Sequence, residues 1–146
     1  MFDDATGERV GEVLRGHEDH VSVRSHIDAL RPGHRYVQIH THPASGSLSD
    51  VDLTLLLGNP PLRTMVVVGQ DGTWYFVSKL RGEPTTDPEE AYDEWGALFE
   101  ALYPRYQAAV EVGTLTEAEA LRVMTNEILT TLAPALRLRY DRLESR

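Results

Sequence analysis

The sequence predicts one α/β (α+β) domain, in which a mixed β-sheet is flanked by helices and the C-terminal end is helical. Two observations lead to this prediction. Apolar runs and alternating patterns typical of strands are interleaved with helical patterns over residues 1–80. From Asp87 onward, apolar residues recur at helical spacing instead.

Composition limits the function classes that this chain can belong to. Its 146 residues, 41% hydrophobic and 25% charged, suit one ordinary globular domain. The absence of cysteine excludes thiolate nucleophiles and cysteine-ligated zinc, so any metal must be bound by His, Asp or Glu. The net charge of −9 argues against a nucleic-acid partner. Because neither a membrane-spanning run nor a signal peptide is visible, we expect no membrane partner and a cytoplasmic location.

The first half of the chain supplies the predicted strands. We expect a hairpin within residues 1–14, a strand at 35–41 and a second hairpin at 64–80. A helix is predicted to begin at Ser49 and to end at Gly58, before an Asn-Pro-Pro turn. This order places a helix between two strands.

The second half begins with two helix signals. Asp87 and Thr116 are each followed three residues later by glutamate, which is typical of a helix N-cap. Pro104 and Pro134 are predicted to break or kink the two helices, since proline lacks an N–H group. A short basic tail is expected after the second proline.

The residues best suited to chemistry lie in the segment HTHPASGSLSDVD, from His40 to Asp52. On a strand, residues two apart point to the same face, so His40 and His42 should project together. Asp52 falls in the first turn of the next helix, from which its carboxylate can turn back toward both imidazoles. Two nitrogens and one carboxylate leave a fourth tetrahedral position for water, as in catalytic zinc sites.

Each half of this segment also has an ordinary structural interpretation. An H-x-H pair on a strand often faces solvent, and S-x-x-D before an apolar run is a capping box with Ser49 as N-cap. In the catalytic interpretation, the Ser49 hydroxyl would donate to the oxyanion that forms when water attacks an amide carbon. The metal-site hypothesis depends on both motifs meeting at one strand–helix junction.

The same residues resemble the JAMM motif of the MPN+/JAB-domain zinc metalloproteases, E…H-x-H-x7-S-x2-D. Deubiquitinating isopeptidases, bacterial JAB-domain proteins and RadC-like proteins share this motif. The resemblance implies a JAB/MPN-like (cytidine-deaminase-like) sandwich, with Zn2+ bound by His40, His42 and Asp52 and with Ser49 as the oxyanion-stabilising residue. It also implies hydrolysis of a peptide or isopeptide bond in a protein or peptide substrate, for example a ubiquitin-like protein.

The resemblance covers residues 1–80, the expected metal-binding core. Residues 81–146 are expected to form a helical C-terminal extension packed on the same domain. The spacer between His42 and Ser49 is six residues, one fewer than in the usual motif. A loop of small residues can absorb this deletion.

The general-base glutamate of the family has no clear counterpart. Alignment of Gly16 and Val21 with the corresponding glycine and valine of RadC-like sequences places it a few residues before Met1. Within the chain the candidates are Glu8, Glu12 and Glu18, and we choose Glu12 because it lies in the predicted second strand. Two alternatives stay open: a catalytically inactive JAB-fold binding or assembly module without this glutamate, and a zinc hydrolase of a non-peptide substrate.

Overall fold

The computed structural model of the chain describes residues 1–14, 22–42, 46–82 and 86–144. Within them it is an α+β protein whose five strands form one mixed sheet in the order β1-β2-β3-β4-β5. The elements in chain order are β1 (Phe2–Asp3), α1 (Arg24–Asp28), β2 (Tyr36–His42), α2 (Asp50–Gly58), β3 (Leu62–Gly69), β4 (Trp74–Lys79), α3 (Pro88–Glu111), α4 (Glu117–Ala135) and β5 (Leu138–Leu143). The predicted class, a mixed sheet with helices, is confirmed.

Strands β2 and β3 are parallel, while the other neighbouring pairs are antiparallel. Parallel neighbours need a crossover connection, and the segment that contains α2 forms it. The helix packs against the core through its buried residues Leu53, Leu56 and Leu57. Helix α2 must therefore begin near the end of β2 that carries His42. This connection positions the candidate site.

Alternation along β2 determines which side chains face the core. Tyr36 and Gln38 are buried, and His40 and His42 follow on the same face of the strand. Next to them, the predicted β3–β4 hairpin is confirmed, with Val67 paired to Tyr75 and a positive φ at Gly72 in the turn. The sheet thus presents two histidines beside fully buried side chains.

Helices α3 and α4 pack against each other, and α3 also packs on α2. Neither proline breaks its helix, which was one of the two predicted effects: α3 continues past Pro104 and buries Tyr106, and Pro134 lies in the last turn of α4. Core contacts made beyond each proline offset the hydrogen bond that proline removes. Among the described residues, no helix is both long and apolar enough to cross a bilayer.

The prediction of a basic tail after Pro134 is wrong, because residues 138–143 form the edge strand β5, which pairs with β4. Arg137 adopts a positive φ of 56° between α4 and this strand. Leu138 is buried and Tyr140 packs against the core, whereas Arg139 is exposed. The second half of the chain therefore contributes a strand as well as two helices.

The predicted N-terminal hairpin is confirmed in its first part. Phe2 forms an antiparallel bridge with Arg9, and the N–H groups of Asp3 and Val10 donate to the carbonyls of Glu8 and Met1. Strand β1 also pairs with β2, through Phe2 opposite Val37, and the second arm of the hairpin does not continue as a strand to Leu14. Residues 11–14 are not part of the sheet. Glu12 therefore does not lie on a strand.

Candidate metal centre

The side chains of His40 and His42 lie close together at the C-terminal end of β2, next to the start of α2. Their Nε2 atoms are 3.1 Å apart, and the ring centroids are separated by 4.9 Å with the rings tilted by 58°. Only 14% of the His40 side chain and 23% of the His42 side chain are exposed. The strand alternation expected from the sequence thus brings both ring nitrogens to one point.

Asp52 reaches the same point from the first turn of α2. One carboxylate oxygen, Oδ1, is 3.3 Å from His40 Nε2, and the other, Oδ2, is 3.3 Å from His42 Nε2. Among the described residues, these three side chains form the group of His, Asp and Glu that is close enough to bind one metal ion.

The spacing of these atoms fits a tetrahedral ion. Around zinc with bonds of about 2.0–2.1 Å, neighbouring ligand atoms are about 3.3–3.4 Å apart. The observed separations are 3.1 Å between the two nitrogens and 3.3 Å from each nitrogen to a different oxygen of Asp52. One ligand atom from each of the three residues lies within 4.8 Å of the others, so the group can surround one ion after adjustment of the side chains.

The capping box of α2 holds the carboxylate in this position. The Ser49 backbone N–H and its hydroxyl both donate to Asp52 Oδ2, at 2.9 and 2.8 Å. In return the Ser49 Oγ accepts from the Asp52 backbone N–H at 3.2 Å. The helix cap and the candidate site thus share a residue, because the Asp52 carboxylate that completes the capping box also faces the two histidines.

Electrostatics favour an ionised carboxylate at this centre. Burial alone would raise the pKa of Asp52, but its hydrogen bonds with His40 and His42 and the charge of His40 hold that pKa far below the usual range. Burial alone would lower the pKa of His42, yet Asp52 raises it through a hydrogen bond and its charge. The site therefore favours positive charge between the three groups, carried either by protons or by a metal ion.

The loop before α2 supports His42. Beside the larger effects of burial and Asp52, the backbone of Gly46 and Ser47 contributes to the raised pKa of the His42 ring. Gly46 itself lies against α4, where an added Cβ would be 3.8 Å from the Thr125 hydroxyl. Sequence reasoning did not identify this support, and its one local signal was the run of small residues after His42.

No family model, curated protein or solved structure matches the chain. The assignment of the site thus depends on the geometry above and on the spacing of the motif.

The remaining predicted site residues do not complete a catalytic set. Glu12 is exposed, and it contacts His26 through its backbone and not its carboxylate: the Glu12 carbonyl oxygen lies 2.8 Å from His26 Nε2. It does not belong to the metal-binding group. Glu8 is exposed beside the first turn, and Glu18 lies outside the described residues.

Proposed function

We propose that this chain is a zinc-dependent metallopeptidase of the JAMM type, which hydrolyses a peptide or isopeptide amide bond. The convergence of His40, His42 and Asp52 at ligand spacing is the observation that carries the proposal. Two imidazoles and one carboxylate suit zinc better than Mg²⁺ or Ca²⁺, which favour oxygen ligands. The H-x-H and S-x-x-D motifs, on a strand and a following helix start, support a JAB/MPN-like fold.

Each residue of the centre has a separate role in this proposal. His40 and His42 would contribute Nε2 lone pairs, and Asp52 would contribute a single negative charge. Zinc held there acts as a Lewis acid toward an amide carbonyl and lowers the pKa of water to roughly 7. With this donor set the loaded site would keep a net positive charge, which favours a developing oxyanion.

In this proposal, the first role of Ser49 is to orient the carboxylate of Asp52. Its one hydroxyl proton is donated to Asp52 Oδ2. A role as oxyanion donor requires this hydroxyl to rotate toward the substrate. Ser49 would therefore contribute to metal affinity as well as to turnover.

A specific observation favours the second candidate, a metal-binding JAB-fold module without turnover. No glutamate among the described residues joins the three-residue group, so the proton shuttle that amide hydrolysis needs has no assigned carrier there. Such a module would bind zinc with the same ligands but would not cleave amides.

Zinc content tests the site itself. Protein purified from zinc-replete medium should contain about one zinc per chain by elemental analysis. His42→Ala should lose it, whereas His34→Ala should retain it, because His34 is half-exposed and contacts Asp3 instead. A wild-type content near zero, or an undiminished content in His42→Ala, would refute the proposal.

Cleavage assays then distinguish the two candidates. A panel of peptides and isopeptide-linked substrates is incubated with zinc-loaded wild type, Asp52→Asn and Asp50→Asn. Asp50 is the matched control, because it occupies the same first turn of α2 but lies outside the group. Zinc-dependent cleavage that Asp52→Asn alone abolishes supports the peptidase. Zinc binding without cleavage of any substrate supports the binding module.

A further inference from the structure

A cluster of basic side chains lies at the end of the sheet opposite the metal centre. Parallel strands β2 and β3 both begin at this end, and the antiparallel strand β4 finishes there. The basic cluster comprises one residue directly before β2, one near the start of β3, the last residue of β4 and one two positions beyond it. Its members are Arg35, Arg63, Lys79 and Arg81.

Two members of the basic cluster are direct cross-strand neighbours. The antiparallel register pairs Thr64 with Ser78 and Met65 with Val77, so the next pair along is Arg63 with Lys79. Directly opposed residues point to the same face of a sheet, and like charges in such a pair are destabilising. The fold therefore holds two cations together against their repulsion.

The other two members add to this repulsion. The pKa of Arg63 is lowered by burial and then by the charges of Arg35 and Arg81. Burial and the charge of Arg63 lower the pKa of Lys79 to about 8. All four positive charges thus act within one small region of a chain whose net charge is −9.

The described part of the chain pairs no acidic side chain with the basic cluster. In the described ranges, no carboxylate forms an ion pair with any of its members. The acidic group that acts on Arg63 is Asp4, which is exposed. Lys79 is buried and Arg63 is partly buried, whereas Arg35 and Arg81 are exposed. Two partly or fully buried cations without a paired carboxylate are costly unless an anion is bound.

The burial of the charged Lys79 side chain is partly explained by a contact within the fold. It is only 7% exposed and donates to the carbonyl of Asn59, at the C-terminus of α2, at 2.8 Å. A cation there interacts favourably with the helix dipole. This contact accounts for one of the three ammonium donors and does not account for the arginine placed opposite.

We propose that the basic cluster is a binding site for a phosphate group. A dianionic phosphate offsets several positive charges at once. Guanidinium groups bind its oxygens in pairs, and a lysine ammonium contributes a point charge. The site lies at the far end of β2 from the metal centre, so the proposal is independent of zinc and of hydrolysis.

Calorimetry and thermal unfolding test the proposal with inorganic phosphate as the probe. At neutral pH, phosphate should bind the full chain at one site and should raise Tm more than sodium chloride of equal ionic strength. Arg63→Gln and Arg81→Gln should each weaken binding about tenfold or more, as expected for loss of a charge-assisted hydrogen bond. Arg81 is exposed, so its replacement leaves the fold intact.

Two controls make the result specific. Arg24→Gln removes an exposed arginine paired with Asp28 in α1 and should bind phosphate like wild type. His42→Ala should also bind like wild type, which separates this site from phosphate bound at the metal centre. Phenyl phosphate identifies the source: binding of both probes indicates a phosphate monoester on a larger ligand, and binding of the inorganic ion alone indicates free phosphate. No phosphate effect beyond that of chloride, or equal binding by both cluster variants and wild type, would overturn the proposal.

Discussion

Replacing Ser49 by alanine separates what the helix cap contributes from what the metal centre contributes. The chain offers a matched control, because Thr116 and Glu119 form the same capping box at the start of α4. There the Thr116 N–H and hydroxyl each donate to Glu119 Oε2 at 2.8 Å, and Thr116 Oγ1 accepts at 3.2 Å. Those separations match the Ser49 box to within 0.1 Å. The two caps differ in surroundings, since the Thr116 box is exposed and Asp52 is largely buried.

The expected costs follow from that difference. Thr116→Ala removes an exposed N-cap and should lower the free energy of unfolding by about 1 kcal/mol. Ser49→Ala should cost about 2 kcal/mol in metal-free protein, because it also removes a donor from a largely buried carboxylate. For 146 residues the entropy of unfolding is about 0.3 kcal/mol per degree, so Tm should fall by about 3 °C and 6 °C respectively.

Metal affinity gives the decisive comparison. Loss of a group that orients a ligand weakens metal binding about 10- to 100-fold, so Ser49→Ala should show this loss in a chelator-competition titration with zinc. Thr116→Ala should bind zinc like wild type. Equal zinc affinity in both variants would show that Ser49 is a helix cap and nothing more, and would refute the reasoning.

Three further predictions concern stability, and each is measured by urea or thermal unfolding. Leu56→Ala should cost about 3 kcal/mol because Leu56 is fully buried, whereas Leu121→Ala, 42% exposed, should cost under about 1 kcal/mol; similar costs would contradict the assigned core. Gly96→Ala should stabilise α3 by about 1 kcal/mol since its added Cβ meets nothing, while Gly11→Ala should destabilise, because φ is +78° and a Cβ would be 3.0 Å from a histidine ring. Lys79 binds its proton less tightly in the folded state, where its pKa is about 8, than in the unfolded state near 10.5. Its contribution to stability should therefore rise between those two pH values, and the difference between wild type and Lys79→Met should show this rise; a difference independent of pH would contradict the lowered pKa of Lys79 in the folded state.

The features that sequence predicted well are those set by neighbouring residues. Ser49 and Thr116 are N-caps as expected, because capping depends on contacts within one helical turn. The alternation of His40 and His42 follows from strand geometry alone. The capping box then fixes Asp52, so the three candidate ligands could be predicted without knowledge of the rest of the fold.

Features set by distant contacts were not predictable in this way. Strand β5 exists because it pairs with β4, and a short segment with three arginines carries little local signal for such pairing. For the same reason, β1 pairs with β2 as well as bridging to Arg9, and residues 11–14, where Glu12 was expected on a strand, lie outside the sheet. The support of the Gly46 loop by α4 likewise joins residues almost eighty positions apart.

X-ray absorption at the zinc edge tests the central claim most directly. Zinc-loaded protein should show two imidazole nitrogens together with carboxylate and solvent oxygen at about 2.0–2.1 Å. Since His42→Ala should not retain zinc, zinc added to that variant should give the spectrum of solvated zinc without imidazole ligands. A first shell of oxygen atoms alone, or an identical spectrum from the variant, would contradict the assignment of His40, His42 and Asp52 as the metal ligands.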